Sequence, residues 1–252
     1  MKPFLSIVIP AYNEERNLKK GVLDEVVVYL KEVKYSHEVI IVDDGSTDET
    51  KVPIKNFIKG KKNWRLIENK HGGKALAVMT GLLAAKGKIA LFTDMDQATP
   101  IREVEKFFPY FSAKGGPASG WDIVIGSRQG RKGAPLLRRL AALVFSTLRN
   151  LILGLPFSDT QCGFKAFNDR SRNAIFPPLK TKWDKIRAAG AAVHAGFDVE
   201  TLFLARKLDF KIAEVDVNWH YVGTERVQLI KDSLDAIKDM VRIRLNDWMG
   251  KY

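Results

Sequence analysis

The feature that most constrains the fold is the alternation of short β-branched runs with helical stretches through the first half of the chain. Residues 4–10 (FLSIVIP) and 38–42 (EVIIV) are apolar runs of the kind that fill parallel sheets covered on both faces. The stretch between them, residues 14–33, is predicted to be a helix, which gives a strand–helix–strand unit. The pattern continues with predicted strands at 64–68, 88–93 and 122–127 and a predicted helix at 74–85. This alternation predicts a Rossmann-like α/β domain with a mostly parallel sheet flanked by helices, in which ligands bind at the carboxyl ends of the strands.

The second half of the chain has a different pattern. Two glycine-containing segments, 114–120 (KGGPASG) and 130–135 (GRKGAP), are typical of connectors. Residues 136–153 place Leu and Val side chains at helical spacing on one side and arginines on another, and residues 227–249 show a second apolar series of the same kind. Both stretches are therefore predicted to be amphipathic helices.

Composition and charge narrow the possible function classes. With 252 residues, 46% of them hydrophobic, the chain is long enough for one large globular domain, and its single cysteine excludes a disulfide framework. The net charge of +12 suits nucleic acid, an anionic membrane surface or a phosphorylated substrate. No zinc-finger spacing, helix-turn-helix or RNA-recognition signature is visible, so we expect no nucleic-acid partner. No apolar run approaches the roughly 20 residues that span a bilayer, and no secretory signal is visible, so we expect a cytoplasmic protein that is peripheral at the membrane surface.

Four polar motifs follow the predicted strands in a fixed order. They are residues 10–14 (PAYNE), 42–48 (VDDGSTD), 94–96 (DMD) and 126–128 (GSR). Each motif alone is ordinary, because an Asp-Gly pair after a strand is usually a turn. Since parallel strands end at a common edge of the sheet, we expect all four to meet around one crevice.

Two carboxylates in this set, Asp94 and Asp96, have the chemistry of a metal site. Carboxylate oxygens one residue apart can bind Mg²⁺ or Mn²⁺, which keeps its other positions for phosphate oxygens and water. Such an ion would neutralise a departing diphosphate. The alternative is that Asp96 only caps the turn before Thr99.

Other members of the set suit a nucleotide. The carboxylate of Asp44 can accept a hydrogen bond from a base, and the ring of Tyr12 can stack on that base. Lys74 and Arg128 are suited to phosphate oxygens, the latter through its planar guanidinium.

The four motifs, followed by residues 158–165 (SDTQCGFK), resemble those of the family 2 glycosyltransferases with the GT-A fold. The resemblance covers roughly residues 4–245. PAYNE and DDGS are shared across that wider family, whereas DTQCGFK is similar to the dolichyl-phosphate β-glucosyltransferase branch of the polyprenyl-phosphate sugar synthases, with the mannosyl branch next. The resemblance implies one GT-A domain over residues 1–252, with a nucleotide-sugar-binding half at 1–128 and an acceptor-binding half at 129–252.

The resemblance also implies roles for individual residues. Asp94 and Asp96 would hold the metal and, with Arg128, form the catalytic set; Arg128 and one of Arg138 or Arg139 would grip the acceptor phosphate. His220 and Arg226 would close over the diphosphate. The full set of residues implied to bind the nucleotide sugar is Pro10, Ala11, Tyr12, Glu14, Asp43, Asp44, Lys74, Met95, His220 and Arg226.

The expected activity is metal-dependent, inverting transfer of a hexose from UDP-glucose or GDP-mannose to a polyprenyl phosphate, with UDP-glucose favoured. Two alternatives stay open. One is transfer to a sugar hydroxyl in polysaccharide synthesis, which would need a base such as Asp198. The other is a basic nucleic-acid-binding module without catalysis.

Some residues have two possible interpretations. Asp198 either caps a helix or faces the acceptor, and the helix at 136–153 either covers the sheet or lies in a membrane interface with its arginines, Arg149 among them, near headgroups. The family resemblance and the basic charge favour the interfacial helix. Cys162 and Trp219 are expected to be packing residues.

Overall fold

The computed structural model describes residues 2–112, 120–128, 136–185, 196–220 and 229–252; for 136–142 and 229–234 it describes the backbone alone. Within these residues the chain forms one seven-stranded sheet with helices packed on both faces. The strands are β1 (Leu5–Ala11), β2 (His37–Asp43), β3 (Trp64–Glu68), β4 (Ile89–Thr93), β5 (Ile123–Ser127), β6 (Phe164–Asn168) and β7 (Ile212–Asp216). The predicted mostly parallel α/β sheet is confirmed.

The strands lie in the order β3-β2-β1-β4-β6-β5-β7. The neighbours of β1 and β2 are parallel to them, and β5 is parallel to β7. Strand β6 is antiparallel to β4 and to β5, so those two run in the same direction. The ends of β1, β2, β4 and β5 therefore share one edge of the sheet, where the four motifs lie.

Strand β6 was not predicted from the sequence pattern. Its five residues, FKAFN, include a lysine and an asparagine, which hide the apolar alternation of a strand. Lys165 is nevertheless almost fully buried, because its ammonium group has polar partners inside the protein. The segment before this strand therefore returns to the motif edge.

The helices of the described residues are α1 (Glu15–Lys19), α2 (Val22–Glu32), α3 (Lys51–Ile58), α4 (Lys74–Ala84), α5 (Phe108–Phe111), α6 (Leu136–Leu153), α7 (Asp169–Trp183), α8 (Gly196–Lys207) and α9 (Leu229–Trp248), with a 3₁₀ turn at Ile101–Lys106. The single helix predicted at 14–33 is wrong in one respect, because it is divided into α1 and α2. Gly21 lies between them with a φ of +75°, a left-handed conformation that glycine adopts readily.

Helix α4 lies very close to the sheet at Gly81. A Cβ atom on this glycine would lie 2.2 Å from Cγ1 of Val8 on β1. The close approach fixes the height of the helix above the strands. It thereby places Lys74, the first residue of α4, beside the end of β4.

Helix α6 has the predicted bounds, but its orientation differs from the prediction. Phe145, Leu148 and Ile152 pack against the core, and Arg149 is only 1% exposed. Arg149 had been expected near lipid headgroups; it is buried because carbonyl groups of the following loop and a threonine hydroxyl accept its N–H bonds.

Among the described side chains of α6, three large apolar ones point outward. Leu143, Val144 and Leu151 are 63%, 59% and 76% exposed. The helix packs against α9, and Nε of Arg244 donates to the carbonyl oxygen of Ile152 at 2.8 Å. None of the described helices is long and apolar enough to cross a membrane.

Candidate active site

An ion pair joins the end of β4 to the start of α4. Nζ of Lys74 lies 2.5 Å from Oδ1 of Asp94. Burial acts to lower the pKa of Lys74, but the carboxylates of Asp94, Asp198 and Asp96 outweigh it, so the pKa is raised and Lys74 stays charged. The lysine that was predicted to contact phosphate is thus held beside a carboxylate predicted to contact metal.

The residues after Asp94 form a tight turn. Oδ1 of Asp96 accepts a hydrogen bond from the backbone N–H of Ala98 at 3.0 Å and so caps this turn, while its partly exposed side chain remains at the motif edge. The assignment of Asp96 to a metal stays a prediction. The side chain of Met95 is buried in the core, which leaves only its backbone available to a ligand. Gln97 has a φ of +50°, and its Nε2 donates to the carbonyl oxygen of Asp94 at 2.9 Å.

Gly163 packs directly on the Asp94 carboxylate. A Cβ atom at this position would lie 2.0 Å from Oδ2 of Asp94. Any larger residue would have to displace the carboxylate. The glycine of the SDTQCGFK segment therefore fixes where Asp94 can be.

A small open cleft lies beside Asp94. One wall comes from the turn after β4 and the other from the ends of β5 and of the segment before β6. Its lining residues are Thr93, Asp94, Ala98, Thr99, Arg128, Cys162, Gly163 and Trp219. The cleft brings the DMD, GSR and SDTQCGFK motifs together, as the sheet edge predicts.

Arg128 lines this cleft, and its guanidinium is held by the carboxylate of Asp159. Its Nε lies 2.6 Å from Oδ2 of Asp159, and its Nη2 lies 2.8 Å from Oδ1, which is a two-pronged pair. The guanidinium also lies 5.7 Å from the centre of the Trp219 ring. Burial acts to lower the pKa of Arg128, but the pair with Asp159 outweighs it and raises the pKa.

The predicted base-binding residues contact one another. The rings of Tyr12 and His71 are stacked at 4.1 Å, and Nδ1 of His71 lies 2.9 Å from Oδ2 of Asp44. The Asp44 carboxylate also accepts the backbone N–H groups of Gly72 and Gly73, at 3.1 and 2.7 Å. Burial raises the pKa of Asp44, and these hydrogen bonds only partly offset the rise.

The remaining residues of the first two motifs are mainly structural in their contacts. The side chains of Pro10 and Ala11 are buried within β1. Asp43 is fully buried, and its carboxylate accepts the backbone N–H of Ser46 at 3.3 Å. The backbone N–H of Glu14 donates to Oγ1 of Thr50 at 2.6 Å. These residues shape the motif edge without directing charge into the cleft.

Four further predicted positions lie in the second half of the chain: His220 and Arg226, predicted over the diphosphate, and Arg138 and Arg139, predicted at the acceptor phosphate. His220 is exposed, and its backbone N–H donates to the carbonyl oxygen of Ala98 at 2.8 Å, which brings it to the turn after β4. Arg226 and the side chains of Arg138 and Arg139 lie outside the described residues. Their assignment stays a prediction.

Asp198 is paired with a buried lysine, a contact that neither of its two predicted arrangements included. It lies in the first turn of α8, and its Oδ1 is 2.5 Å from Nζ of the buried Lys165. The same ammonium donates to the carbonyl oxygen of Cys162 at 2.5 Å. Burial raises the pKa of the Cys162 thiol to about 11, which supports packing and not nucleophilic chemistry.

Sequence analysis missed the roles of Asp159 and Trp219 in lining and holding the cleft. Both were visible as residues, since Asp159 belongs to the SDTQCGFK segment. No periodicity or spacing links Asp159 to Arg128, because the two are joined only by the antiparallel return of β6.

Comparison with known proteins places these motifs in a family. The model of Glycosyl transferase family 2 matches residues 6–176. The dolichyl-phosphate beta-glucosyltransferase of Dictyostelium discoideum is 34% identical over 98% of this chain and 76% of its own length. The enzyme of the same name from Saccharomyces cerevisiae is 35% identical over 99% of this chain and 76% of its own length. The human enzyme of that name is 32% identical, over 98% and 77%.

Solved structures show the same fold at low sequence identity. Mannosyl-3-phosphoglycerate synthase from Rubrobacter xylanophilus has a TM-score of 0.66 and 17% identity, over 99% of this chain and 76% of that chain. Glucosyl-3-phosphoglycerate synthase from Mycobacterium tuberculosis, in complex with Mn²⁺, UDP and glucosyl-3-phosphoglycerate, has a TM-score of 0.60 and 21% identity, over 96% and 80%. These likenesses confirm the predicted GT-A type of fold.

Proposed function

This chain belongs to glycosyl transferase family 2, and we propose that it transfers glucose from UDP-glucose to the phosphate group of dolichyl phosphate or a related polyprenyl phosphate. The observation that carries this proposal is that Asp94 and Arg128 both line one cleft. This brings a carboxylate suited to a metal–diphosphate complex into the same cleft as a guanidinium suited to an anionic acceptor. The relatives named for transfer to dolichyl phosphate support the choice of acceptor.

The donor half of the proposal uses the edge formed by β1, β2 and β4. Tyr12 and Asp44 would bind the base, and the charged ammonium of Lys74 would contact the diphosphate. The ring of His71 already occupies the face of Tyr12 and one oxygen of Asp44. A base that uses both groups would therefore have to displace the His71 side chain.

The residues present fit a divalent metal. Asp94 and Asp96 supply hard oxygen ligands, and Oε1 of Gln97 is a buried oxygen without a hydrogen-bond partner in the described residues. No group of three or more Asp, Glu, His or Cys side chains in the described part of the chain is arranged for a metal. Oxygens of the diphosphate and water would have to complete the coordination. When bound, Mg²⁺ or Mn²⁺ would neutralise charge on the departing diphosphate.

The reaction we propose is a single displacement with inversion. An oxygen of the acceptor phosphate forms a bond to the anomeric carbon, while the bond from that carbon to the donor phosphate breaks and its electron pair leaves with UDP. The acceptor phosphate is already anionic near neutral pH, so a general base is not needed. Catalysis then depends on positioning of the acceptor phosphate, by Arg128, and on stabilisation of the negative charge that develops on the departing diphosphate, by Lys74.

The position of Asp198 favours this reaction over transfer to a sugar hydroxyl. A hydroxyl acceptor requires a group that removes its proton. Asp198 is nearly buried, and its Oδ1 is engaged by the ammonium of Lys165. It is therefore better placed to organise the cleft than to accept a proton from a substrate.

We also propose that the protein acts at a membrane surface. Exposed apolar side chains on α6 are joined by others on α9, whose Val241, Leu245 and Trp248 are 44%, 45% and 75% exposed. The net charge of +12 would add attraction to anionic headgroups. A polyprenyl chain would remain in the bilayer while its phosphate enters the cleft.

The test is to measure turnover of UDP-glucose by the purified protein with and without dolichyl phosphate in detergent micelles. We expect UDP release and a lipid-linked glucose only when both substrates and a divalent metal are present. An Asp94→Asn variant should lose transfer. Equal turnover without the lipid phosphate would refute the proposed acceptor.

A further inference from the structure

Behind Arg128 lies a network of charged groups that the proposed reaction does not itself use. Its central member is Asp159, which is 5% exposed and holds both the side chain and the backbone N–H of Arg128. The two-pronged contact takes one N–H from Nε and one from Nη2, out of the five donors of a guanidinium. The orientation of Arg128 in the cleft is therefore set by Asp159.

Asp159 is itself fixed from the far edge of the sheet. The carboxylate of Glu214, on β7, accepts the backbone N–H of Ser158 at 2.9 Å and that of Asp159 at 2.7 Å. The backbone N–H of Gln161 returns to Oδ1 of Asp159 at 3.1 Å. Both the peptide and the side chain of Asp159 are thus held in place.

Arg149 fixes the same loop from α6. Its Nη1 donates to Oγ1 of Thr160 at 3.0 Å, its Nη2 donates to the carbonyl oxygen of Phe157, and its Nε lies 3.4 Å from the carbonyl oxygen of Leu155. One buried side chain therefore ties three points of the loop. Because several buried hydrogen bonds hold this one short segment, we infer that its position is important for the adjoining cleft.

We propose that Asp159 is a positioning residue for the acceptor phosphate, acting through Arg128, and that Glu214 and Arg149 hold the loop that carries it. This inference rests on the proposed function, in which Arg128 binds that phosphate. A free arginine side chain has many rotamers, so a guanidinium already held in place loses less conformational entropy on binding.

Electrostatic repulsion by Asp159 would change the acceptor affinity in the direction opposite to positioning. Asp159 also places a negative charge near the incoming phosphate, and if this repulsion dominated, its removal would strengthen acceptor binding. The direction of the change in acceptor affinity therefore separates positioning from repulsion. The two-pronged geometry and the fixed loop favour positioning.

The experiment compares Asp159→Asn with the wild type for acceptor KM, kcat and UDP affinity. We expect the KM for dolichyl phosphate to rise about tenfold, as when one charge-assisted contact is weakened, with UDP affinity unchanged. In an Arg128→Ala background the same change should have no further effect, because Asp159 acts through Arg128. A lower KM, an unchanged KM or an additive loss in the double variant would overturn the proposal.

Asp122→Asn is the matched control. Asp122 precedes β5 as Arg128 follows it, and its carboxylate is likewise buried and paired with an arginine, Arg170, at 3.1 Å. We expect the control to leave the acceptor KM unchanged. That result would show that loss of a buried carboxylate beside this strand does not by itself raise the acceptor KM.

If Asp159→Asn does not fold, the Glu214→Gln variant tests the positioning role of the loop that carries Asp159. A glutamine at this position keeps one acceptor oxygen but turns an NH₂ group toward the second backbone N–H. The acceptor KM should rise with UDP affinity unchanged, and a folded Glu214→Gln protein with normal acceptor KM would overturn the proposal. Failure of the wild type to use dolichyl phosphate at all would instead refute the proposed function.

Discussion

The ammonium nitrogen of Lys74 and Oδ1 of Asp94 lie 2.5 Å apart at the junction of α4 and β4. A divalent cation at Asp94 would compete for this carboxylate with the charged ammonium of Lys74. Lys74 therefore links the proposed metal to the proposed diphosphate, because displacement from Asp94 leaves its ammonium free for phosphate oxygens.

Replacing Lys74 with methionine should separate these two effects. Mn²⁺ alone should bind about fivefold more tightly, since a competing charge worth about 1 kcal/mol is lost, while transfer falls sharply. Titration of Mn²⁺ by calorimetry or paramagnetic resonance measures the first effect. Identical Mn²⁺ affinities in both proteins would show that Lys74 does not compete.

The observed capping role of Asp96 and its proposed role as a metal ligand can be separated by choice of substitution. Asp96→Asn keeps an oxygen that can cap the N–H of Ala98 but removes the charge that a metal requires. We expect metal-dependent transfer to be lost in Asp96→Asn with thermal stability unchanged. Asp96→Ala should lose transfer and about 1 kcal/mol of stability as well. Near-normal turnover in Asp96→Asn would contradict the metal assignment.

We expect the charged side chain of Asp44 to lower the free energy of unfolding and to be necessary for binding of the donor nucleotide. Its pKa is raised by burial, so the stability linked to its protonation is present below its unfolded-state pKa and is lost as pH rises through the folded-state pKa. At pH 7 the charged group therefore opposes folding. Asp44→Asn should equal or exceed the wild type in free energy of unfolding at pH 7, with the difference shrinking toward pH 4.

Chemical denaturation at both pH values is the measurement, accompanied by calorimetric titration with UDP, which should bind more weakly. Asp44→Ala is the control, because it leaves the N–H groups of Gly72 and Gly73 without their acceptor and should lose about 1–3 kcal/mol. A clear loss of stability in Asp44→Asn would mean that its hydrogen bonds outweigh its burial.

Neighbouring leucines on α6 give a matched pair for the membrane proposal. Leu151 is 76% exposed, whereas Leu148 packs against the core. Leu151→Glu should stay folded and lose much of its binding to anionic vesicles in co-sedimentation, and Leu148→Glu should destabilise the protein by about 2 kcal/mol or more. Binding of wild-type protein should weaken as salt is added. Full sedimentation of folded Leu151→Glu would show that lipid contact lies elsewhere.

Much of the fold was predictable because parallel strands have strong local signals. Strands β3 and β5 lie where the alternation of strands and helices predicted them, and α6 begins and ends as its periodicity predicts. The split at Gly21 and strand β6 were not predictable in this way. The first depends on one backbone conformation, and the second depends on a buried lysine whose partners are distant in sequence.

The candidate site was predictable in its residues but not in its pairings. Asp94, Lys74 and Arg128 could be identified from motifs, yet the contacts Lys74–Asp94 and Arg128–Asp159 depend on tertiary structure. The same limit applied to Arg149. Helical spacing placed it on a polar side, but only the carbonyl groups of the following loop explain its burial.

The most direct test of the central claim is to identify the product made from UDP-glucose and a short-chain dolichyl phosphate. Nuclear magnetic resonance of the purified lipid reports both the atom to which glucose is attached and its anomeric configuration. The account predicts glucose bound through its anomeric carbon to the phosphate oxygen, with the β configuration that inversion of an α-linked donor gives. Free glucose alone, glucose on a hydroxyl group, or the α configuration would contradict it.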